Sequence, residues 1–500
     1  MTSGGAARLR QASGADPRRV CFVTGKLAET SLRRTLETMA PSFAYDVVVM
    51  KITVAALMTT PWIARFLHVP EGAELVLLPG LCEGDTGVVR DAVGVPVEKG
   101  PKDLRSLPEF FGHAAIARDY GGFDIEIVAE INNAPRLSLD AIVREADYFV
   151  ASGADIIDVG CTPGLPFPLL ADVVRGFRSA GIRVSIDSFD AAEIRTAVDA
   201  GAELVLSVNG TNVGVLADIA DSGSGARVVA VPDPGGELSS LDPTLEELAR
   251  HGIPYLIDPV IEPIGMGFAK SIARYAEVRR RFPDAELMMG IGNITELTAA
   301  DSTGINALLV AICQEIGIRT VLTTEVAPWA RGCVREIDIA RRLMRYAIAE
   351  RTLPKRIDDR LLTVKDPVVL SYTEAELREL QSKITDSNFR IFADREAITV
   401  LSSEHFVRGT DIQAIFDELD VDEPAHAFYL GKELMKARLA VNLGKTYRQE
   451  GQLSWGYLTP PDDPVRDHIR ITQHRRRRDA GAEPPTAAPR ADTPVGSGGD

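Results

Sequence analysis

Side-chain carboxylates and amides recur at the ends of short apolar runs through the middle of the chain. They are Asn132, Asn133, Asp158, Asp187, Asn209, Asp233, Asp258, Asn293 and Glu325. Histidine is nearly absent from the same stretch, because His251 is the only one between Ile125 and Glu350. Carboxylates bind paired N–H groups in a bidentate manner, so this set suits a flat heterocycle with many hydrogen-bond donors and acceptors. A zinc site is not expected, and no other metal site is predicted.

An alternation of strands and helices over residues 123–352 would bring these side chains together. The eight strands read from the sequence are IEIVAEI from Ile125, DIIDV from Asp155, RVSID from Arg183, ELVLSV from Glu203, RVVAV from Arg227, PYLID from Pro254, ELMMG from Glu286 and TVLTTE from Thr320. Such β-branched runs without polar alternation are typical of strands buried on both faces. Eight repeats predict a (β/α)8 TIM barrel, in which functional residues lie on the loops at the carboxyl ends of the strands. An open sheet of six or seven strands is the alternative.

Shifts in composition outside the barrel indicate further domains. VCFVTG, DVVVMKI and ELVLLPG read as strands that alternate with helices, which predicts a small parallel sheet. We therefore expect an α/β protein with a central TIM barrel, a small N-terminal α/β domain and a C-terminal α+β segment. The predicted boundaries are a disordered N-terminus at 1–19, the α/β domain and linker at 20–122, the barrel at 123–352, the α+β segment at 353–458 and a disordered tail at 459–500.

Two basic stretches lie near the C-terminus. Lys432, Lys436, Arg438 and Lys445 are placed opposite the apolar stripe of a predicted helix. A solvated face is the first interpretation, and a phosphate-contacting face is the alternative. The run Arg475–Arg478 in the tail is interpreted as a solvated charge run.

The composition restricts the class of protein. A hydrophobic fraction of 45% and a charged fraction of 25% are ordinary for a globular chain. A net charge of −16 argues against a nucleic-acid or anionic-membrane surface, and no run is long enough to span a membrane. The 5 cysteines are scattered without a CxxC pair, which favours reduced thiols and a cytoplasmic protein.

Five motifs follow one another along the predicted barrel. They are EINNAPRLSLD, ASGADIIDVGCTPG, VSIDSFD, LVLSVNG and LIDPVIEPIGMGFAKS. This ordered series resembles the pterin-binding enzyme domain that dihydropteroate synthases share with methyltetrahydrofolate:corrinoid methyltransferases. The resemblance covers the whole predicted barrel and implies that a pterin binds at its mouth.

The resemblance also implies roles for individual residues. Asp187 and Asn209 would hydrogen-bond the pterin, and Asp258 would bind its 2-amino and N3 edge. Asn132 or Asn133 would lie beside a leaving diphosphate. The catalytic candidates are Asp187, Asn132 and Lys270. The substrate-binding candidates are Asn133, Asp158, Asp187, Asn209, Asp258, Gly265, Asn293 and Glu325.

Several of these residues have a structural interpretation as well. Asp158 lies within a strand. It is interpreted equally well as a structural carboxylate of the barrel whose hydrogen bonds are made within the protein. Lys270 could be an ordinary lysine in the first turn of a helix. Asp233, in PDPGG, is better interpreted as a turn residue.

The chain departs from the synthase pattern after the seventh and eighth strands. Synthases typically have a Ser-Arg-Lys stretch where this chain has GIGNITEL, and Arg-x-His where it has Thr324, Glu325 and Val326. A large part of the usual anion cradle is therefore missing. The segment GIGNITELTAADSTGINALL instead resembles the methyltransferases, in which an asparagine approaches pterin N5, and Asn293 is the matching residue.

The whole chain resembles dihydropteroate synthase-related proteins of organisms that use tetrahydromethanopterin. TGKLAETSLRR, LPGLCEGD, LTTEVAPWARG and HAFYLGKELMKA carry this resemblance. It implies a transferase of folate or tetrahydromethanopterin-type biosynthesis that condenses a dihydropterin hydroxymethyl diphosphate with an arylamine. Lys270, Arg136 and Arg331 are the expected cations, no cofactor is expected to bind tightly, and Mg²⁺ could accompany the diphosphate. A homodimer is compatible with this class.

Two alternatives to this enzyme are open. One is a reduced-pterin-binding, methyltransferase-like protein with a corrinoid partner. The other is a non-catalytic pterin carrier in one-carbon metabolism.

Overall fold

The computed structural model describes residues 17–112 and 120–460. Most of the predicted disordered N-terminus, part of the predicted linker and nearly all of the predicted tail, with Arg475–Arg478, lie outside the described residues. The described chain forms two compact units, which divide between Leu361 and Leu362.

The first unit begins with a four-stranded parallel sheet of order β2-β1-β3-β4. Its elements are β1 (Arg19–Thr24), α1 (Glu29–Met39), β2 (Ala44–Val49), α2 (Thr60–Phe66), β3 (Leu75–Leu78), α3 (Thr86–Val93), β4 (Val97–Lys99) and α4 (Leu107–Phe110). The first three strands are those predicted from the sequence. The fourth was missed because it has only three residues, two of them charged.

Eight parallel strands then close into a barrel. The elements are β5 (Glu126–Ile131), α5 (Leu139–Ser152), β6 (Ile156–Gly160), α6 (Leu170–Ser179), β7 (Arg183–Asp187), α7 (Ala191–Ala200), β8 (Leu204–Val208), α8 (Val215–Ser222), β9 (Arg227–Ala230), α9 (Leu241–His251), β10 (Tyr255–Ile257), α10 (Phe268–Arg281), β11 (Glu286–Gly290), α11 (Gly292–Thr295), α12 (Ser302–Ile316), β12 (Thr320–Thr323) and α13 (Cys333–Ala349). Parallel pairing of β12 with β5 closes the ring. The predicted TIM barrel is confirmed, and this closure excludes the open-sheet alternative.

Apolar side chains fill the strands on both faces, as the sequence predicts. The outward face packs beneath the helices in one large cluster that includes Ile157, Ile186 and Val205. A separate cluster includes Val128, Ile156 and other strand residues on the opposite face, and forms the interior layer of the barrel. Because strand side chains alternate between faces, this division fixes which polar strand residues point into the barrel.

Glycines and one aspartate set the limits of the barrel helices. Gly153, Gly201 and Gly317 end helices in the left-handed conformation that glycine adopts at low cost. Asp190 begins α7 by accepting hydrogen bonds from the backbone N–H groups of Ala192 and Glu193. These short strand-to-helix connections hold the loops of the mouth in place.

The described part of the second unit, up to Pro460, contains a three-stranded antiparallel sheet and three α-helices, which is the predicted α+β architecture. Its elements are α14 (Glu374–Gln381), β13 (Arg390–Ala393), β14 (Ile398–Leu401), β15 (Phe406–Gly409), α15 (Ile412–Asp417) and α16 (Pro424–Leu443). Buried residues of the sheet pack against Leu430, Leu434 and Ala437 of α16.

The predicted basic face of this last helix requires a correction at Lys445. The helix ends at Leu443, and Lys445 is buried beyond it. Its ammonium donates to the carbonyl oxygens of Thr363 and Ser454 and lies 3.5 Å from a carboxylate oxygen of Asp366. A buried ammonium needs such partners, so Lys445 holds this unit together and does not contribute to a solvated or phosphate-contacting face.

Candidate functional site

Three carboxyl groups converge on the interior of the barrel near its mouth. Glu130, Asp158 and Ser185 are adjacent in the strand register. Val128 and Ile156 belong to the interior apolar layer of the barrel. Glu130 and Asp158 each follow one of them by two residues, so both carboxyl groups also point into the barrel. Asp187 lies two residues beyond Ser185 on the same face. We call Glu130, Asp158 and Asp187 the carboxyl cluster.

Burial and mutual repulsion favour the protonated forms of this cluster. Burial is the main cause of the raised pKa of Asp158, which lies well above its usual value, and the charges of Asp187 and Glu130 raise it further. Burial also raises the pKa of Asp187. The pKa of Glu130 is raised to about 7, first by burial and then by the charge of Asp187. The cluster therefore retains protons at neutral pH.

Few protein groups donate hydrogen bonds to the carboxyl cluster. The Ser185 hydroxyl donates to Asp158 Oδ1 at 2.6 Å, and the Asn132 amide donates to Glu130 Oε1 at 3.1 Å. Asp158 Oδ2 and Asp187 Oδ1 are buried and have no hydrogen-bond partner in the described part of the chain. Buried polar atoms are rarely left in this state, so the two oxygens are available to a ligand.

Local backbone geometry makes room for this cluster. A Cβ atom at Gly160 would lie 2.6 Å from Glu130 Oε1, so a glycine at the end of β6 allows the glutamate to enter the barrel. The strand register shifts between Val205 and Val208, and Ser207 adopts a positive φ of 62°. A hydrogen bond from Ser207 favours the ionised form of Asp187. The bulge thus directs a hydroxyl at the cluster.

A fourth carboxylate, Asp258, follows β10 and is held in a fixed orientation. Its Oδ1 accepts from the Tyr275 hydroxyl at 2.5 Å and from the backbone N–H of Val260 at 2.7 Å. Burial raises its pKa to about 6, while the hydrogen bonds from Tyr275, Val260 and Gly290 oppose that rise. Asp258 is 8% exposed, so it is a mostly ionised carboxylate in a nearly dry position at neutral pH.

Asn293 borders Asp258 across Gly290. A Cβ atom added at Gly290 would lie 3.8 Å from Asp258 Oδ2 and 4.0 Å from Asn293 Nδ2. Asn293 lies exposed on the short helix α11 and donates to the Ile261 carbonyl at 3.1 Å. The structure therefore brings these two predicted site residues together.

The loops after β8 and β9 hold each other through Asn209 and Asp233. Asn209 is 2% exposed and accepts through Oδ1 from the backbone N–H and the hydroxyl of Thr211. Asp233 accepts from the backbone N–H of Gly210 at 2.8 Å. Asp233 is therefore a loop-stabilising residue, in agreement with its turn interpretation. The side-chain carbonyl of Asn209 likewise stabilises its own turn by accepting hydrogen bonds from Thr211.

The remaining predicted residues lie on the exposed rim. Asn133 has a positive φ of 53° and accepts from the Thr162 hydroxyl at 2.9 Å, and Asn132 beside it is half-buried. Gly265 has a φ of 87° in the loop before α10, and Lys270 lies exposed in the first turn of that helix. These residues surround the mouth without contacting the carboxyl cluster, except for Asn132.

Glu325 does not have the ligand-facing position that the sequence suggested. The strand ends at Thr323, and the Glu325 carboxylate accepts from the backbone N–H groups of Gly332 and Val334, both at 2.9 Å, and from the Tyr148 hydroxyl. A carboxylate at a helix N-terminus satisfies N–H groups that have no partner within the helix. The predicted role of Glu325 in substrate binding is therefore corrected to a structural role at the start of α13.

The arginine expected beside the ligand is also engaged by protein. The Arg331 guanidinium lies 3.9 Å from the centre of the Tyr148 ring. It pairs with Glu145 at 3.4 Å and lies 3.8 Å from the Glu325 carboxylate. Arg136 is exposed at the end of a single 3-10 turn. The described mouth therefore contains more carboxyl groups than available cations.

Sequence reasoning missed Glu130, Ser207 and Tyr275. Glu130 could have been found, because it shares the interior face of the first strand by simple alternation. Ser207 depends on a bulge, and Tyr275 reaches Asp258 from the next helix. No short-range pattern signals those two contacts.

Residues 17–112 and 120–460 provide neither a candidate metal cluster nor a candidate membrane-spanning helix. These residues contain no group of three or more His, Cys, Asp or Glu side chains arranged to hold a metal ion. No helix among them is long and apolar enough to cross a membrane.

Three family models match separate parts of the chain. Residues 18–102 match a family of unknown function (DUF6513), residues 131–290 match the family described as pterin binding enzyme, and residues 385–450 match PterinBD-DUF4346. An uncharacterized protein of Methanocaldococcus jannaschii is 27% identical over 523 residues, which cover 87% of this chain and 99% of the relative.

The solved structures with similar folds include several dihydropteroate synthases. The Yersinia pestis enzyme with a pterine-sulfa conjugate is 17% identical, covering 45% of this chain and 94% of its own, with a TM-score of 0.37. The Thermus thermophilus enzyme with 4-aminobenzoate is 20% identical, covering 44% and 92%, with a TM-score of 0.35. The Coxiella burnetii enzyme with pteroic acid is 16% identical, covering 47% and 95%, with a TM-score of 0.37. Residues 131–290 of this barrel are therefore similar to the pterin binding enzyme family.

Proposed function

We propose that the barrel binds a reduced pterin at its mouth, with Asp258 as the principal contact. The observation that carries this proposal is the fixed orientation of a nearly dry carboxylate, held by Tyr275 and Val260. A pterin presents the 2-amino group and N3–H as a paired donor edge, which a carboxylate accepts in a bidentate manner. The pKa of about 6 keeps Asp258 ionised for this task at neutral pH.

The carboxyl cluster would bind the opposite part of the ring system. The open oxygens of Asp158 and Asp187 match N–H donors, and a protonated member of the cluster could donate to a ring nitrogen. Glu130, with a pKa of about 7, is suited to exchange a proton with the ligand. Asn293, beside Asp258, would contribute an amide to the ring.

The first reaction that this site could perform is condensation with an arylamine. The C–O bond to diphosphate would break at the pterin methylene, the amine nitrogen would form the new C–N bond, and its proton would pass to an ionised carboxylate of the cluster. Positioning and electrostatic stabilisation would supply most of the rate enhancement. Lys270, Asn132 and Arg136 would bind the leaving diphosphate, with Mg²⁺ supplying further positive charge. The pathway would be folate or tetrahydromethanopterin-type biosynthesis.

Apolar side chains on the rim support an aromatic second substrate. Phe189 is 60% exposed in the loop after β7, and Met266 is 78% exposed in the loop before α10. Exposed large apolar side chains around a polar pocket are typical of a ligand site. An arylamine would cover part of this surface as it attacks.

Diphosphate release tests this reaction. Purified protein with the dihydropterin diphosphate, an arylamine and Mg²⁺ should release diphosphate, and Lys270→Ala should slow release while leaving dihydropterin affinity unchanged. Glu379→Gln, an exposed carboxylate of the second unit, is the matched control. No release with 4-aminobenzoate or with a phosphoribosyl-substituted arylamine would contradict the reaction, while pterin binding could still stand.

A second candidate is binding of a reduced pterin without diphosphate chemistry, either for methyl transfer to a corrinoid partner or as a carrier. The engagement of Arg331 with Tyr148 and Glu145 favours it, because it leaves the acidic mouth with few cations for a diphosphate. Calorimetry against dihydropterin, its diphosphate and a methyl-tetrahydropterin separates the candidates. Tighter binding of the diphosphate supports condensation, and tighter binding of the methylated pterin supports the second candidate.

We also infer a cytoplasmic location. All five cysteines, which lie within the described residues, are free. Reduced thiols are usual in that compartment. A homodimer is part of the same proposal, and its test is the mass of the purified protein in solution.

A further inference from the structure

The second unit contains a cleft that is independent of the pterin chemistry. Its volume is about 280 Å³, and it lies beside the start of α16. One wall is aromatic: the Phe389 ring lies 5.6 Å from the His405 ring and 5.5 Å from the His426 ring. The His405 and His426 rings are inclined to the Phe389 ring by 65° and 35°, so the three π-systems present both ring faces and ring edges.

Another part of the cleft lining is acidic. The loop between α15 and α16 contributes Asp420, Asp422 and Glu423 to the lining. Asp420 and Asp422 are exposed to solvent, and Asp420 adopts a positive φ of 49°. The lining residues in the described chain include neither lysine nor arginine. Exposed carboxylates such as Asp420 and Asp422, in a cleft that is also lined by aromatic rings, favour a positively charged ligand.

A guanidinium group fits this combination of walls. It is planar and stacks on aromatic faces, and its fixed N–H groups pair with carboxylates in a bidentate manner. The volume is small for a free metabolite, since pockets for such ligands usually reach about 300–1,000 Å³. It suits one or two side chains better than a whole cofactor.

The chain itself carries a matching segment. The run Arg475–Arg478 lies outside the described residues, beyond the last described residue, Pro460. Pro460 accepts a hydrogen bond from Gln452, and Gln449, a few residues earlier, donates to the carbonyl of Phe389. The same C-terminal loop therefore contacts both the last described residue and the backbone of Phe389.

The length of the connection allows the run to reach the cleft. About 15 residues separate Pro460 from Arg475, and an extended chain of that length spans up to about 50 Å. For two groups joined by a short linker, the effective concentration is of the order of millimolar. Even a weak guanidinium site would then be occupied by a segment of the same chain.

We propose that the cleft formed by Phe389, His405, His426, Asp420 and Asp422 is a guanidinium-binding site, and that its occupant is the run Arg475–Arg478 of the same chain. The arginines stack on the aromatic wall and pair with the acidic loop. The C-terminal segment is thereby held on the second unit.

Histidine resonances of the full-length chain test the docking directly. In protein labelled with ¹³C-histidine, the imidazole signals of His405 and His426 should differ between the wild type and the tail variant R475S/R476S/R477S/R478S. His68 and His251, in the first unit, are internal controls whose signals should not move. Unchanged His405 and His426 signals would overturn the proposal.

A peptide assay tests the chemistry of the site. A fluorescent peptide of residues 472–480 should bind the tail variant of the full-length chain. Adding Asp420→Asn and Asp422→Asn should weaken binding about tenfold or more, because charge-assisted hydrogen bonds are lost. Glu379→Gln should leave the affinity unchanged, and a peptide with lysine in place of arginine should bind more weakly. Equal affinity for both peptides, or for both forms of the cleft, would contradict a guanidinium site.

Light scattering separates docking within one chain from docking between chains. If the tail occupies the cleft of its own chain, docking will not join two chains. The mass of the wild type will then match that of the tail variant at every protein concentration. A wild-type mass that rises with concentration and is lost in the tail variant would overturn docking within one chain.

Discussion

Asp258 and Glu325 are two carboxylates of the same barrel mouth that the structure uses in opposite ways. Each is 8% exposed, and each follows the end of a strand. Asp258 has Oδ1 held by Tyr275 and Val260, and its Oδ2 lies beside Gly290, whose backbone also hydrogen-bonds the carboxylate. Both oxygens of Glu325 accept from protein donors at the start of α13. Equal burial therefore does not imply equal function.

The difference lies in how many acceptor positions remain after the fold is complete. A carboxylate whose lone pairs are taken by backbone N–H groups stabilises the protein and cannot recognise a ligand. A carboxylate that is oriented but incompletely satisfied can do so. We therefore propose that the mouth divides into a recognition side, with Asp258 and the carboxyl cluster, and a supporting side around Glu325, Tyr148 and Arg331.

The largest effect should come from Asp258→Asn. The substitution replaces a bidentate charged acceptor by an amide that presents one donor to the pterin edge. We expect the affinity for a reduced pterin to fall about a hundredfold, since charge-assisted hydrogen bonds contribute about 1.5–3 kcal/mol each. Calorimetry measures this change. Affinity within a few-fold of the wild type would remove Asp258 from the site.

The matched substitution Glu325→Gln should lower stability and leave pterin affinity unchanged. It removes the charge that satisfies the N–H groups of Gly332 and Val334, so we expect the free energy of unfolding to fall by about 3 kcal/mol. Urea denaturation measures this loss, and pterin affinity at a temperature where the variant is folded should be unchanged. A variant that keeps full stability but loses affinity would reverse the division between the two sides.

Glu130→Gln should change the pH dependence of stability. The folded-state pKa of about 7 lies above the usual glutamate value of 4.5, so the wild type loses stability as pH rises from about 4.5 through about 7. The glutamine variant lacks this loss. Relative to the wild type it should gain about 2 kcal/mol between pH 4.5 and pH 8, after allowance for partial exposure.

Denaturation curves at the two pH values measure this gain. Glu404→Gln, at an exposed position of the second unit, is the control and should show no such change. A Glu130→Gln variant whose stability follows that of the wild type at every pH would show that Glu130 is not the titrating member of the cluster.

Asn293→Ala should have the smallest effect. Its amide borders the pterin position but retains a protein partner in Ile261, so we expect affinity for a reduced pterin to fall about fivefold, the equivalent of one neutral hydrogen bond. Leu297→Ala, an exposed apolar residue of the same loop, is the control. If Asn293→Ala lost as much pterin affinity as Asp258→Asn, Asn293 on α11 would be a principal pterin contact, which contradicts the minor role expected for it.

The sequence was sufficient to predict the barrel and the positions of Asp187 and Asp258. Strand ends are visible as the limits of apolar runs, and the carboxyl ends of parallel strands always meet at one rim. Glu130 lies before the end of β5 and is not marked by a strand end, although alternation along the strand places it inside the barrel.

Other features could not be predicted because they depend on contacts distant in sequence. Glu325 is satisfied by backbone N–H groups that return after a loop, and Tyr275 reaches Asp258 from the following helix. The buried position of Lys445 depends on carbonyl groups of Thr363 and Ser454. A pattern of residue types shows which side chains are polar but not which of their atoms remain unsatisfied after folding.

The central claim is that the carboxyl side of the mouth recognises a pterin ring, and a crystal structure with a bound reduced pterin tests it most directly. We predict that the 2-amino and N3 groups lie within hydrogen-bond distance of Asp258, that the ring approaches Asp187, and that Glu325 remains bonded to α13. A pterin bound away from Asp258, or one contacting Glu325, would contradict the account.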